Sequence, residues 1–139
     1  MVDALTEVHR VLASRGTLVD ARPDSRVLAY AERRTERGFQ RYGIIRTNTV
    51  ELAADRASDR AIAEIKRRML FRGKRQGRFW HRVAFDNLAD LRQYLVEHLR
   101  FVHRARWVVD EATRRRHAKD PFVIRRAVRY EILEKTSGL

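Results

Sequence analysis

This chain opens with a helix pattern that stops at a glycine and leads directly into a strand pattern. Apolar residues recur there at three- and four-residue spacing, which places them on one face of a helix. These residues are Leu5, Val8, Val11 and Leu12. Gly16 then suits the left-handed conformation found at helix ends, and residues 17–22 form a strand pattern that stops at Pro23, which has no amide hydrogen. This unit predicts a domain that combines helices with strands.

Further helix and strand patterns follow without a repeat or a flexible linker. They predict a hairpin with strands over 27–33 and 39–46, a helix from Asp55 or Ser58, a strand over 79–85, a helix capped by Asn87, a helix over 107–119 and a closing strand over 122–135. This order predicts an α/β (α+β) domain with a small, mostly antiparallel sheet. Because nothing divides the chain, we expect residues 1–139 to form a single domain.

The two faces of the closing strand differ in chemistry, since residues two apart share a face. One face carries Ile124, Val128, Tyr130 and Ile132, and the other carries Arg125, Ala127, Arg129 and Glu131. We expect the arginine-bearing face to be the solvated side of the sheet. A dimer contact or an anion-binding surface fits the same residues.

Two stretches resemble class I S-adenosylmethionine-dependent methyltransferases. The first is Leu5-x-Glu7-x-x-Arg10-Val11-Leu12 followed by Gly16-Thr17-Leu18-Val19. It is similar to the helix and fifth strand of that family. The second consists of Asp59-Arg60-Ala61-Ile62, Gly77-Arg78-Phe79, Phe85-Asp86-Asn87-Leu88-Ala89-Asp90-Leu91 and Leu133-Glu134-Lys135. It is similar to the helix, sixth strand, helix and antiparallel seventh strand that end the family's Rossmann-like fold.

The resemblance implies the substrate-side, C-terminal half of such an enzyme. In the family, the N-terminal half holds the cofactor with a glycine-rich turn and an acidic residue, and none of the six glycines here forms a G-x-G motif. We therefore expect no S-adenosylmethionine site, no bound cofactor and no activity in this chain alone. The resemblance puts Asp20 and Arg22 at the end of the fifth strand, on the substrate side, and Trp80 is a third substrate-side candidate.

The same resemblance predicts a partner. The family's fifth strand lies between the fourth and seventh strands, so residues 17–22 would leave one sheet edge unpaired without a fourth strand. We expect a homodimer, formed by edge pairing or strand exchange, or a separate cofactor-binding chain. Alternatively, the hairpin over 27–46 folds back and covers this edge.

Arginine dominates the charge of the chain. Lysine and arginine total 31 against 18 acidic residues, which gives a net charge of +13 and a pI of about 11.3. Only four of the 31 are lysines. So basic a balance is typical of nucleic-acid-binding proteins. A genome-wide bias towards arginine codons produces the same composition without any partner.

The densest basic segment covers residues 66–78 and contains no acidic residue. Its cations are Lys66, Arg67, Arg68, Arg72, Lys74, Arg75 and Arg78. Phe71, Phe79 and Trp80 lie within or beside it, and cations mixed with aromatic rings suit single-stranded nucleic acid. The alternative function is therefore a nucleic-acid-binding module. A solvated helix end whose aromatic residues belong to the core explains the same segment.

Other classes of function find no support in the sequence. The chain has no cysteine, which excludes disulfides and thiolate metal sites. Its histidines lack zinc-site spacing, and we predict no metal site and no catalytic residues. No signal peptide and no apolar run of about 18 residues is present, so we expect a cytoplasmic protein without a membrane segment. A small-molecule cup lined by Trp80, Trp107 and Tyr94 is a third possibility.

Overall fold

The computed structural model describes residues 1–99 and 104–137. Its elements are α1 (Val2–Val11), β1 (Thr17–Pro23), β2 (Ala29–Thr35), β3 (Gly38–Ile45), α2 (Thr49–Arg67), β4 (Phe71–Phe85), α3 (Leu88–Tyr94), β5 (Ala105–Trp107), α4 (Glu111–Arg116) and β6 (Phe122–Lys135). A π-helical turn, Leu95–Leu99, extends α3. Every strand pair with a defined register is antiparallel. The predicted mixed α/β class with a mostly antiparallel sheet is thus confirmed.

The described chain divides into two compact units. The first comprises residues 1–24, 50–79 and 128–137, and the second comprises residues 25–49, 80–99 and 104–127. Strands β4 and β6 therefore give one part to each unit. Because the chain passes between the units four times, neither unit is a separate stretch of sequence.

In the first unit, β6 is the central strand. It pairs with β1 in a continuous register from Thr17↔Glu134 to Pro23↔Val128. β4 also pairs with β6. Since β1 occupies one edge of this part of β6, β4 occupies the other.

Helices α1 and α2 cover one face of these strands. Ile62 and Ile65 of α2 are buried with Phe71 of β4 and Leu133 of β6, and α1 packs its apolar stripe against them. Leu5, Val8 and Leu12 pack there as the sequence predicts. Val11, which is predicted on the same face, is instead 63% exposed. The pairing of Val19 with Ile132 lies on the opposite face, where Val19 is 57% exposed.

The arginine-bearing face of β6 is not the solvated side in this unit, contrary to our expectation. Leu133 lies in the core, so Arg129 and Glu131 share its face. There Arg129 donates to Asp59 of α2, and Lys66 of α2 donates to Glu131. Helix α2 can cover these charged residues because it supplies a partner of opposite charge to each.

The second unit contains the predicted hairpin. β2 and β3 pair from Ala29↔Ile45 to Thr35↔Gly38, with a register shift between Ala31 and Glu32. β2 pairs on its other edge with residues 122–125 of β6, and β3 pairs with β5. The hairpin strands thus pair with β6 and β5, and the alternative in which the hairpin covers the edge of β1 is wrong.

The core of the second unit lies between this hairpin, β6 and α3. The side chains of Tyr42, Leu91 and Phe122 are fully buried there, and Tyr42 and Phe122 meet edge to face at 5.3 Å. Asn87 caps α3 as predicted, since its Oδ1 accepts a hydrogen bond from the Asp90 amide at 2.9 Å.

Several predicted details are wrong. The hairpin strands are Ala29–Thr35 and Gly38–Ile45 rather than 27–33 and 39–46. α2 begins at Thr49 rather than at Asp55 or Ser58, and the helix over 107–119 shrinks to Glu111–Arg116 because Trp107 belongs to β5. The strand predicted over 79–85 already begins at Phe71. The left-handed residue after α1 is Arg15, with a φ of 60°, rather than Gly16. Gly16 is needed for space, since a Cβ there would lie 2.8 Å from the Ala13 carbonyl oxygen.

Candidate functional site

The predicted substrate-side residues Asp20 and Arg22 lie in an ion-pair network of the first unit. The Arg22 guanidinium is 2.9 Å from an Asp20 oxygen and 3.1 Å from Asp59 Oδ1. Arg129 reaches the same Asp59 oxygen at 2.5 Å. The Arg22 side chain is only 18% exposed. The network therefore joins β1, β6 and α2.

The protonation of this network is fixed by its geometry. Burial tends to lower the pKa of Arg22, but the hydrogen bonds and charges of Asp20 and Asp59 outweigh it and raise the pKa. Burial likewise tends to raise the pKa of Asp59, and the hydrogen bonds from Arg129 and Arg22 lower it overall. Both groups stay charged at neutral pH, so they suit a positioning role better than proton transfer.

The basic segment over 66–78 spans the end of α2 and the first part of β4, and most of its cations have acidic partners. Lys66 pairs with Glu131, Arg67 and Arg68 with Glu64, Arg72 and Lys74 with Glu134, and Arg78 with Asp24. Arg75 has no acidic partner within residues 1–99 and 104–137. Seven cations thus meet four carboxylates, and the segment keeps a positive balance.

Two of these carboxylates are held strongly in the charged form. Hydrogen bonds from Arg67 and Arg68 lower the pKa of Glu64 to about 2. Hydrogen bonds from Lys74 and Arg72 lower the pKa of Glu134 to about 2. These cations therefore stabilise the first unit, and an external phosphate must compete with glutamates already in place.

The aromatic residues of this segment differ in exposure. Phe71 is 2% exposed and lies in the core of the first unit, so it cannot stack on a base. Phe79 is exposed and lies 6.3 Å from Tyr130, measured between ring centroids. Trp80 belongs to the second unit.

In the second unit, Trp80 is part of an arginine–aromatic cluster that we did not predict. The cluster consists of Tyr30, Phe39, Arg41, Trp80, Arg82 and Arg125. The Arg125 Cζ is 4.3 Å from the Trp80 ring centroid and 5.0 Å from that of Tyr30. Arg82 lies 4.9 Å from the Phe39 ring centroid.

Strand register assembles the cluster. Tyr30 of β2 is directly opposite Arg125 of β6, and Glu32 Oε1 lies 3.0 Å from the Arg125 guanidinium. The sequence does contain a signal for the other members. An aromatic residue and an arginine stand two residues apart at Phe39–Arg41 and at Trp80–Arg82, which places each pair on one face of its strand.

The structure does not gather the three residues of the predicted small-molecule cup. Trp80 contacts Tyr30 and Arg125, whereas Trp107 lies beneath Arg92 and Arg114. A cavity of about 300 Å³ does adjoin Trp107. It is lined by Arg92, Leu95, Val96, Ala105 and Trp107.

Comparisons with known proteins give no relative. No family model, no curated protein and no solved structure matches the chain. Among the described residues, no helix is both long and apolar enough to cross a membrane, and no three His, Asp or Glu side chains are grouped to hold a metal ion. We therefore infer function from the geometry of these surfaces.

Proposed function

We propose that the chain is a substrate-side module similar to the C-terminal half of a class I S-adenosylmethionine-dependent methyltransferase. The observation that supports this proposal is the antiparallel pairing of β1 with β6, from Thr17↔Glu134 to Pro23↔Val128. The resemblance implies this neighbour relation, because the family's fifth strand lies beside its antiparallel seventh strand. Helix α1, which carries the first motif, packs on the same core as β6.

In this proposal the module has no methyl-transfer activity alone and works in the cytoplasm with a partner. β1 pairs only with β6 among the strands of the described residues, so its second edge is open to another strand. The partner is a second copy of the chain or a separate polypeptide that supplies the S-adenosylmethionine site. Asp20 and Arg22 then contribute by fixing the end of β1 through Asp59.

Calorimetry with S-adenosylmethionine tests this proposal. The purified chain is titrated alone, and then together with the product of any reading frame directly upstream that encodes a G-x-G turn. We expect saturable binding and methyl transfer only from the combination. Saturable micromolar binding by the chain alone would overturn the proposal, and so would an inactive combination in which both polypeptides are folded.

The alternative function, a nucleic-acid-binding module, is favoured by the positive balance of the segment over 66–78. We propose Lys66, Arg67, Arg68, Arg72, Lys74, Arg75 and Arg78 as its contacts. The test compares two variants that lose the same charge. R67Q/R68Q/K74Q/R75Q should lose retention of an oligonucleotide at low salt, whereas R56Q/R60Q/R115Q/R116Q should keep it. Equal losses in the two variants would refute a specific role for the segment.

A further inference from the structure

We propose that the arginine–aromatic cluster of the second unit is a binding site for single-stranded nucleic acid. In this site, bases stack on Trp80 and Phe39, and Arg41, Arg82 and Arg125 contact the phosphates. The site lies in a different unit from the segment over 66–78 and uses none of its cations. It also requires no cofactor-binding partner, so its test is independent of the proposed function.

The first support is the exposure of large rings outside the core. Trp80 is 40% exposed and Phe39 is 45% exposed, and neither belongs to the core of the second unit. Tyr30 lies beside Trp80, with ring centroids 6.2 Å apart and planes inclined by 48°. Exposed rings held on sheet strands give rigid surfaces on which unpaired bases can stack.

The second support is the arrangement of the arginines around these rings. Arg41 lies 3.8 Å from the Tyr30 centroid, closer than any other cation–ring contact among the described residues. Stacking on a ring orients a guanidinium and leaves its N–H groups free to donate to phosphate. The rings thus hold Arg41 and Arg82, which are both exposed, ready at the surface.

The third support is the charge balance of the cluster. Its three arginines face one carboxylate, Glu32, which contacts Arg125. Arg41 and Arg82 have no acidic partner in the described part of the chain. In the segment over 66–78, by contrast, six of seven cations are paired with carboxylates. A phosphate reaching Arg41 or Arg82 displaces no internal ion pair.

These features together favour a nucleic acid over an acidic peptide. An acidic peptide would satisfy the arginines, but it would leave the exposed parts of the Trp80 and Phe39 rings in water. Single-stranded nucleic acid supplies a phosphate and a base in every repeat, so it engages both kinds of side chain. A duplex keeps its bases stacked on one another and does not present them to the rings.

Tryptophan fluorescence and anisotropy test the site. Fluorescein-labelled dT12 and U12 are titrated with the protein at low salt. Tryptophan emission is followed with unlabelled strands in wild type and in W80F, because Trp107 emits as well and the difference isolates Trp80. Stacking contributes about 5- to 150-fold in affinity per base, so W80L and F39L should each weaken binding by about fivefold or more. W80F keeps a ring, so it should bind nearly as wild type does while the quenching of residue 80 disappears.

Charge variants distinguish specific phosphate contacts at the cluster from a diffuse electrostatic attraction to the basic protein. R41Q/R82Q should weaken binding and reduce the slope of log affinity against log salt by about 1.4, at about 0.7 for each phosphate contact. The control R115Q/R116Q loses the same charge on α4 and should keep the wild-type slope. Inorganic polyphosphate, which has no bases, should not quench Trp80.

Several results would overturn the proposal. They are no binding of dT12 or U12 at low salt, wild-type affinity in W80L and F39L, equal losses in R41Q/R82Q and R115Q/R116Q, and equal quenching by polyphosphate. Thermal unfolding confirms that each variant is folded. The W80F comparison keeps the test decisive if W80L is unstable.

Discussion

Gly77 of β4 lies directly against the ring of Tyr130 of β6. A Cβ at Gly77 would be 2.7 Å from Tyr130 Oη and 2.8 Å from its Cζ, which is closer than side chains pack. The φ angle of Gly77 is not positive, since Gly38 is the one glycine with positive φ in the described chain. Glycine is therefore required at this position by space, and the tyrosine ring covers the gap that it leaves.

This contact predicts that G77A destabilises the protein by ~1–3 kcal/mol, because the added methyl group must push the Tyr130 ring aside. Urea denaturation measures the cost. In G73A the clash is with Glu131 Oε1, the end of a flexible side chain, so G73A should cost less. The double variant G77A/Y130A should cost less than the two single changes combined, and an additive double variant would contradict the contact.

The cap of α3 gives a second prediction. Asn87 Oδ1 accepts a hydrogen bond from the Asp90 amide, so N87A should lower the free energy of unfolding by ~1 kcal/mol. N87S retains an oxygen acceptor at the same position and should recover most of that loss. Equal unfolding midpoints for N87A and N87S would show that the cap contributes nothing.

Glu134 gives a prediction about pH. Its pKa is about 2 in the folded protein and about 4.3 in an unfolded chain. Since the folded-state pKa is lowered, the stabilisation is fully present above about pH 4.3 and is lost as the pH falls towards 2. E134Q should therefore be less stable than wild type at pH 7, and its melting temperature should fall less steeply between pH 4.5 and 2. If the melting temperatures of the two proteins fell equally steeply over this pH range, the prediction would be wrong.

The open edge of β1 gives a prediction about the oligomeric state of the protein. If two copies pair through residues 17–22, wild type should scatter light as a species of twice 16.5 kDa. V19K places a charge on the edge strand of each copy and should release monomers. V50K makes the same change at an exposed valine of α2 and should leave the dimer intact. A monodisperse wild-type monomer would contradict the dimer.

Local signals explain which elements could be predicted. The closing strand matches the observed bounds, Phe122–Lys135, because Pro121 precedes it and apolar and charged residues alternate over residues 128–132. The first part of β4 could not be predicted. It carries glycines and cations without an apolar alternation, and it becomes a strand through long-range contacts such as those of Arg72 and Lys74 with Glu134.

The candidate site likewise combines a residue that the sequence indicates with residues that only the fold brings close to it. The sequence neighbourhood of Trp80, beside the basic segment over 66–78, indicates this residue as a candidate. Its partners Tyr30 and Arg125 are far apart along the chain and meet only because β2 and β6 pair in one register. The strand pattern predicts that Arg125 faces solvent, whereas its observed contacts with Glu32 and Trp80 depend on that register as well.

The sharing of β6 between the two units affects how a nascent chain can fold. Phe122 and Ile124 complete one core, and Leu133 completes the other. β6 follows every other described element in the sequence, so it is the last of them to leave the ribosome. Until it emerges, both cores lack a central strand and expose apolar surface. Folding of the two units during synthesis must therefore wait for the same fourteen-residue strand.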